Sequence, residues 1–383
     1  MADLLPADAD SWDKRLQGVA RDVYHTAGYH RYAAKSGAGE PYLVVVGDAR
    51  RGFAWPYLLR RVAEVEGLEE SAATDIDSVY GYPGPVAWGC SPGDPFLAAA
   101  WDELREVWQS QGAVALFTRF HPLLGNVDLA RGFADAPGGA REPSRRTEGS
   151  PIVTGGRTVS IDCTLNDDEA RAGYARVLRQ EIAQGRRAGL VTEPDEGWSE
   201  IAAFARLYEA TMARNRAASS YAVSRDDALR LRDELGGHLH LLVTRLDGVV
   251  VGAGLFTEFD RIVQAHLVGT DDSQRRLSPL KVMLDDARIW ATGRKNKVLH
   301  LGGGRGGRED SLLAFKGRFS SRRHVFYTGR WILDPAGYAE LVDRQSRYAA
   351  VRGIPGGDAS WFPAYRAPLV ASELVADVQS KAD

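Results

Sequence analysis

The residues best suited to chemistry lie in a glycine-rich, basic stretch near the C-terminal end of the sequence. Gly302–Gly304 is followed by Gly306 and Gly307, and 11 Lys/Arg stand against 3 Asp/Glu from Asp286 to Arg330. Backbone amides in a glycine loop can bind a phosphate, and a local basic excess favours the same kind of ligand. No Gly-Lys-Ser/Thr follows, so the loop is not a P-loop. A sharp bend at the end of a strand explains the glycines equally well.

Several side chains could accept a proton in a reaction at this stretch. They are His266, Tyr221, Glu258 and Asp310. A general base must contact the nucleophile that it activates, and sequence spacing places none of the four there. His266 is equally well explained as a buried residue of a strand. His238 and His240 imitate a metal-binding pair, but no third ligand has suitable spacing, so we predict no metal site.

The strands and helices that must position these side chains can be predicted from the spacing of apolar residues. Alternating and continuous apolar runs predict strands at Leu239–Leu246, Val249–Thr257 and Arg261–Val268. Asp167–Ala188 reads as one long arginine-rich helix, and Leu280–Thr292 as another. Strands, then a helix, then further strands occur in the same order in both halves of the chain. This order favours a duplicated α+β unit.

The composition is that of a globular protein of more than one domain. Of the 383 residues 44% are hydrophobic and 26% are charged, and the net charge is −3. No apolar run approaches the roughly 20 residues of a membrane span. Met1–Lys14 has no apolar segment of a secretory signal, and Cys90 and Cys163 lack metal-ligand spacing. We therefore expect a reduced, cytoplasmic protein without membrane contact.

The stretch Leu299–Phe319 resembles the Fem (FemABX-like) peptidyltransferases of the acetyltransferase-like (GNAT) superfamily. It combines a strand that ends in Gly-Gly-Gly, a helix start at Asp-Ser-Leu, and Phe-Lys-x-x-Phe. Leu207–Arg216 and then Tyr221 resemble the helix and loop before that family's central sheet. Tyr82–Val86, Tyr-Pro-Gly-Pro-Val, is similar to a segment of its first domain. The resemblance is good over residues 170–332 and loose over 1–150.

This resemblance implies an α+β fold of two tandem GNAT (acetyltransferase)-like domains, with mixed, mostly antiparallel sheets flanked by helices. Residues 1–152 together with 334–383 would form the first domain, on the acceptor side. In that domain Trp361–Leu369 would be the segment that returns from the C-terminus. Residues 153–333 would form the second domain, on the donor side. We expect a monomer or a weak homodimer.

The resemblance also implies a reaction, in which an aminoacyl ester of tRNA is joined to an amine through a tetrahedral intermediate. Lys316 would then be the cation beside the reacting carbonyl, and Phe315 would position the terminal adenosine of tRNA. Arg318, Arg322 and Arg323 would meet phosphates of the acceptor stem. The remaining residues implied in substrate or tRNA binding are Gly303, Gly304, Arg305, Tyr221 and His266. Aminoacyl-tRNA would then be a co-substrate, and no metal or organic cofactor is implied.

The sequence indicates the residues of the acceptor side less specifically than those of the donor side. Asp77, Tyr80 and Tyr82 could form a wall of the acceptor pocket, or they could be plain turn residues. After Gly-Pro-Val the chain continues with Ala87-Trp88-Gly89, without the acidic residue that muramyl-peptide enzymes of the family tend to carry. A small natural-product amine or hydroxylamine is therefore favoured over a cell-wall precursor.

Two other functions remain open on the same fold. An acyl-CoA-dependent N-acyltransferase would bind pyrophosphate at Gln274–Pro279, just before the helix at Leu280. Leu277 and Pro279 stand there in place of glycine and alanine, and proline lacks an amide that the anion would use. A non-catalytic binding module is the second alternative, and the intact Phe315-Lys316 pair argues against it.

Overall fold

The structure is a computed structural model that describes residues 2–7, 10–133, 150–215, 222–355 and 361–369. Strands and helices alternate in groups along these residues. In chain order the strands are β1 (Asp3–Pro6), β2 (Glu40–Gly47), β3 (Gly52–Arg61), β4 (Thr74–Asp77), β5 (Val86–Trp88), β6 (Ala113–Arg119), β7 (Ile152–Asp162), β8 (Val191–Pro194), β9 (Leu239–Leu246), β10 (Val249–Phe259), β11 (Ile262–Thr270), β12 (Val298–Gly303) and β13 (Arg323–Ile332).

Most of the helices follow or precede strands of their own half of the chain. In chain order they are α1 (Ser11–Arg15), α2 (Ala27–Lys35), α3 (Pro95–Ser110), α4 (Asp167–Ala172), α5 (Arg176–Arg187), α6 (Ile201–Arg214), α7 (Arg225–Leu235), α8 (Pro279–Gly293), α9 (Ser311–Lys316) and α10 (Pro335–Val351). None of the helices in the described ranges has the length and apolar character needed to cross a membrane.

The chain divides into two compact units. The first contains residues 1–19, 33–154 and 327–383, and the second contains residues 20–32 and 155–326. These limits lie close to the predicted ones at 152 and 333. One segment differs, because Ala20–Tyr32 belongs to the second unit although it precedes the first unit's sheet in sequence.

The first unit is a sheet in the order β1-β2-β3-β4-β6, followed by the last residues of β13, and β5 pairs with β3. Helix α3 begins at Asp94, whose carboxylate accepts the Phe96 amide at 3.0 Å, with Pro95 in the first turn. The apolar face of α3 lies in an aromatic core that includes Trp101, Trp108 and Trp331. The returning segment 361–369 packs Phe362 and Tyr365 into a smaller core of the same unit.

The second unit is a sheet in the order β7-β12-β11-β10-β9-β8. Only the β11–β12 pair is parallel among its described pairings, so the sheet is mixed and mostly antiparallel. Helix α6 approaches β11 closely: a Cβ on Gly269 would lie 2.4 Å from the Tyr208 amide nitrogen. Helix α8 lies against β10, where Met283 packs on Gly252 and Gly254. The predicted α+β class is confirmed.

The long helix predicted at Asp167–Ala188 is wrong, because the structure has two helices there. Asn166 caps α4 and accepts the Glu169 amide at 3.0 Å, and α4 ends at Ala172. Helix α5 starts anew after Ala175, whose amide donates to the Arg318 carbonyl at 2.8 Å. An amide captured by a distant carbonyl cannot continue the helical ladder, and the local sequence carries no sign of that partner.

Candidate active site

The candidate site starts where two central strands of the second unit separate. The parallel pairing of β11 with β12 covers Ile262–Gln264 against Val298–His300. On its other side β12 pairs with β7 as far as Gly303, with a register shift between His300 and Gly302. The last residues of β12 therefore lie beyond the point where its pairing with β11 ends.

The glycines shape the turn that follows β12. Gly302 has φ of 75°, a left-handed conformation that a β-carbon would strain. A Cβ on Gly304 would lie 2.1 Å from the Arg308 carbonyl oxygen. The Gly307 amide donates to the Gly304 carbonyl at 3.2 Å, and the Arg308 amide donates to Arg305 at 3.1 Å. Since these amides are already engaged, the geometry fits a sharp turn better than a phosphate cradle.

Asp310 ties this turn to the helix that carries the lysine. Its carboxylate accepts the Leu313 amide at 3.0 Å as the cap of α9 and the Arg305 amide at 3.1 Å. Burial raises the pKa of Asp310, but these amides outweigh it and hold the pKa below its usual value. A carboxylate that is fully used as an acceptor for amides is a poor candidate for a general base.

Lys316 is the last residue of α9 and points back to the end of β12. Its Nζ donates to the Gly303 carbonyl at 2.7 Å, and a Cβ on Gly302 would lie 3.4 Å from the same nitrogen. Burial lowers the pKa of Lys316 to about 8, and only the Asp310 carboxylate opposes this. The structure thus places Lys316 beside Gly303, while Asp310 holds Gly304 and Arg305 in the same turn. Their roles in binding or catalysis stay a prediction.

Phe315 lies beside the lysine but packs against the protein. Its ring meets Phe319 edge-on, with 5.7 Å between centroids, at the margin of the core formed by α8, β12 and their neighbours. The side chain is half-buried, so part of the ring is accessible. Its function as a platform for adenosine stays a prediction.

The three arginines after the lysine differ in their partners. Arg322 pairs with Asp162 at 2.5 Å, and Arg323 donates to the carbonyls of Ser320 and Gly317. Arg318 is exposed, and its side chain makes no hydrogen bond or ion pair with a described residue. Of the three, Arg318 is therefore the one whose charge is most available to an external anion.

The other residues predicted in the second unit are scattered. The Arg305 side chain donates to Asn215 at 3.2 Å. His266 packs edge-on against Tyr29 at 5.9 Å, and burial lowers its pKa to about 4 although Asp22 opposes the shift. Such a histidine is neutral and a weak base at pH 7. Tyr221 lies outside the described residues.

Sequence reasoning missed a buried chain of polar side chains in the second unit. The Gln264 amide nitrogen donates to the Asp22 carboxylate at 2.6 Å, and its oxygen lies 2.6 Å from Nδ1 of His300. All three residues are at most 3% exposed. Gln264 and His300 are polar residues within apolar strands, and this pattern could have indicated a buried polar cluster. For Asp22, 242 positions away from Gln264, no local signal exists.

Comparisons with known proteins agree with this architecture. Residues 172–310 match the family described as Acetyltransferase (GNAT) domain. The crystal structure of FemX matches with a TM-score of 0.67 at 13% identity, covering 88% of this chain and 99% of FemX. The chain has a GNAT (acetyltransferase)-like fold. This confirms the predicted fold class, while such low identity shows the fold alone.

Two further solved structures match this GNAT fold at lower scores. A conserved protein of unknown function from Bacteroides thetaiotaomicron has a TM-score of 0.54 at 11% identity, covering 86% of this chain and 100% of that one. The C-terminal DUF2156 domain of a proposed lysylphosphatidylglycerol synthetase from Agrobacterium fabrum has a TM-score of 0.51 at 16% identity, covering 91% and 96%. None of the curated proteins compared with the sequence matches it.

The predicted acceptor residues belong to the first unit of the GNAT fold. Asp77 pairs with Arg60 at 2.5 Å and accepts the Ser78 amide at 2.7 Å. Tyr80 is 58% exposed, and Tyr82 is half-buried with its ring edge-on to His121 at 6.4 Å. Burial raises the pKa of Tyr82, so its hydroxyl stays protonated. The contacts of Asp77 suit a turn residue, and a pocket role for the three stays a prediction.

Proposed function

We propose that this protein is an acyltransferase that moves an aminoacyl group from tRNA to an amine. The GNAT fold supports the transfer of an acyl group, and the Fem-like turn and helix support the aminoacyl ester as donor. The acceptor that we propose is a small natural-product amine or hydroxylamine. Lys316, held at the end of β12 by the Gly303 carbonyl, is the observation that carries this proposal.

Aminolysis of an ester needs few protein groups besides those that align the two reactants. The amine nitrogen bonds to the carbonyl carbon, the carbonyl oxygen gains negative charge, and the bond to the ribose oxygen then breaks. A cation beside that oxygen, in surroundings less polar than water, stabilises the anion. With a pKa near 8, Lys316 is about 90% protonated at pH 7.

The ammonium group of Lys316 has donors to spare for this task. An ammonium group carries three N–H donors, and among the described residues Gly303 takes one. That bond fixes the direction of the group without neutralising it, because a carbonyl carries no net charge. Preorganised donors of this kind need little rearrangement when the oxyanion forms.

The segment before α8 argues against acyl-CoA as donor. Pro279 has no amide to offer at the start of α8, and the Lys281 amide donates to the Ser278 carbonyl at 2.9 Å. The Lys281 ammonium is held by Glu181 at 2.7 Å and by the Ser278 hydroxyl at 3.1 Å. A pyrophosphate there would meet one amide fewer and a carboxylate nearby, which weakens an anion site.

Whereas the segment before α8 argues against acyl-CoA, Arg318 argues in favour of tRNA as the donor. Its guanidinium is exposed two residues beyond Lys316, and its carbonyl is held by the Ala175 amide at 2.8 Å. A free arginine on an anchored backbone can bind a phosphate without first breaking an ion pair. We propose Arg318 as the principal phosphate contact of the tRNA end.

A transfer assay tests the donor and the lysine together. The full chain would receive total tRNA charged with radiolabelled amino acids and hydroxylamine as the probe amine. We expect hydroxamate that depends on intact tRNA and is lost after ribonuclease treatment or in Lys316→Met. Lys297→Met, a change at an exposed lysine of the same unit, is the matched control and should keep full transfer. Consumption of radiolabelled acyl-CoA in place of charged tRNA would replace the proposed donor.

A further inference from the structure

Helix α5 carries three arginines on its solvent-exposed side. Its buried side chains Leu178 and Ile182 pack into the core of the second unit. Arg176, Arg179 and Arg187 are exposed, and at roughly 100° per residue they lie within about 80° of the helix circumference. We call these three residues the arginine face of α5.

The charged residues on the flanks of α5 are paired with α8. Glu181, the one carboxylate of α5, binds the Lys281 ammonium at 2.7 Å. Arg186 binds the buried Asp285 at 2.7 Å. These pairs hold α5 on the protein and neutralise its only negative charge, so the arginine face has no carboxylate from its own helix.

The charges of the arginine face are not compensated within the described part of the chain. The side chains of Arg176 and Arg187 make no hydrogen bond or ion pair with a described residue. Arg179 donates to the carbonyls of Arg171 and Ala172 at 3.4 Å, and a carbonyl carries no net charge. Arg176 and Arg179 are three residues apart, so their like charges repel each other on the helix. A bound anion would relieve that repulsion.

The arginine face begins beside the residues that follow α9. The Ala175 amide donates to the Arg318 carbonyl at 2.8 Å. Tyr174 meets the Phe319 ring edge-on at 5.4 Å, and Phe319 meets Phe315 at 5.7 Å. The first turn of α5 is therefore next to the exposed Arg318 and to the aromatic pair that contains the predicted adenosine platform.

We propose that the arginine face of α5 binds the phosphate backbone of tRNA, from its single-stranded 3′ end into the first base pairs of its acceptor stem. This inference rests on the proposed use of charged tRNA as donor and extends its binding site. From Arg176 to Arg187 the helix covers about 16 Å. At roughly 3.4 Å per nucleotide this length matches about five stacked nucleotides, which is more than the single-stranded NCCA end. Arg176 would then meet the single strand, and Arg187 would meet the stem.

The contacts of α5 favour RNA over a membrane surface. A helix that binds a bilayer buries its apolar side among the lipids. The apolar side of α5 is occupied, because Leu178 and Ile182 are buried in the protein core. Val177, which is 56% exposed, is the one large apolar side chain that α5 presents to solvent. Charges without an apolar surface suit a phosphate backbone.

Binding of uncharged RNA tests the surface without catalysis. The full chain would be titrated with a labelled RNA hairpin that has a single-stranded ACCA 3′ end, and with that end alone as a short oligonucleotide. For Arg176→Gln/Arg179→Gln/Arg187→Gln we expect hairpin affinity to fall by about 10-fold or more, and the slope of log K against log salt to flatten by about 2–3. Arg187→Gln alone should weaken the hairpin only, whereas Arg176→Gln should weaken both probes.

A second helix of the same unit provides the matched control. Arg225→Gln/Arg230→Gln/Arg232→Gln removes three arginines of α7, of which Arg230 pairs with Asp227 and Arg232 with Asp233. The two triple variants have the same net charge, so a general charge effect would weaken both equally. We expect the α7 variant to keep wild-type affinity and slope. An equal loss in the two variants would overturn the inference.

Two further measurements separate the surface from other partners and from the reaction. If the α5 variant keeps hairpin affinity but loses binding to anionic phospholipid vesicles, a lipid surface replaces RNA and the inference is refuted. With charged tRNA and hydroxylamine, we expect the α5 variant to raise KM for tRNA by about 10-fold and to keep kcat. Unchanged KM would refute the surface while transfer stands. A wild type that binds the hairpin through α5 but transfers nothing would refute the transfer and leave the RNA surface.

Discussion

Replacing Lys316 by methionine removes the ammonium group and keeps an unbranched side chain of similar length. Burial lowers the pKa of Lys316 from 10.5 to about 8, and a shift of that size corresponds to about 3 kcal/mol against the charged form. The lost hydrogen bond to Gly303 is worth about 1 kcal/mol. We therefore expect Lys316→Met to raise the free energy of unfolding at pH 7 by about 2 kcal/mol while it abolishes transfer.

The sign of the pH dependence follows from the same shift. Between pH 8 and 10.5 the unfolded chain keeps the Lys316 proton and the folded protein loses it, so wild-type stability rises with pH across this window. The methionine variant lacks that rise. The extra stability of the methionine variant over the wild type should be full below pH 8 and should disappear toward pH 10.5.

Urea unfolding of both proteins at pH 7 and at pH 10 measures this difference, and Lys297→Met serves as the exposed control. Transfer from charged tRNA to hydroxylamine is measured on the same preparations. Equal stability differences at the two pH values would refute the reasoning about burial of the ammonium group. A more stable variant that still transfers would leave the burial argument intact and would remove Lys316 from catalysis.

Four further outcomes are expected. If protonated Lys316 carries the rate, transfer falls as pH rises above 8, whereas transfer would rise over the same range if Lys316 itself acted as a base. Gly304→Ala places a Cβ 2.1 Å from a carbonyl oxygen, so it should lower the melting temperature and stop transfer. Asp285→Ala leaves the buried Arg288 without its 3.1 Å carboxylate partner and should cost about 3–5 kcal/mol of stability. Arg318→Ala should weaken tRNA binding and flatten its salt dependence.

Each of these variants has a control in the same chain. Gly293→Ala, at the end of α8 with open space around its Cβ, should leave transfer unchanged. Asp168→Ala changes an exposed carboxylate, and a loss equal to that of Asp285→Ala would contradict the argument from burial. Arg347→Ala removes an exposed arginine paired with Asp343, and a matching loss of tRNA affinity would show that Arg318 has no special part.

Local sequence patterns predicted much of the fold and part of the candidate site. The apolar runs at Leu239–Leu246, Val249–Thr257 and Arg261–Val268 predicted β9, β10 and β11. The glycines at the end of β12 were explained equally well by a sharp bend and by a phosphate site, and the structure has the bend. Phe315 and Lys316 end the short helix that follows, and their roles stay a prediction. These features depend on neighbours within about two helical turns, which is the range that a periodic pattern reports.

What the sequence determined by itself was the α+β class, the basic segment and the turn that presents Lys316. Tertiary structure alone decided the break at Ala175, the lowered pKa of Lys316 and the chain from Asp22 through Gln264 to His300. Each of these depends on a partner that another segment supplies, or on burial by the whole core. A hydrogen bond between residues 242 positions apart follows from strand register and packing, and the local sequence indicates neither of them.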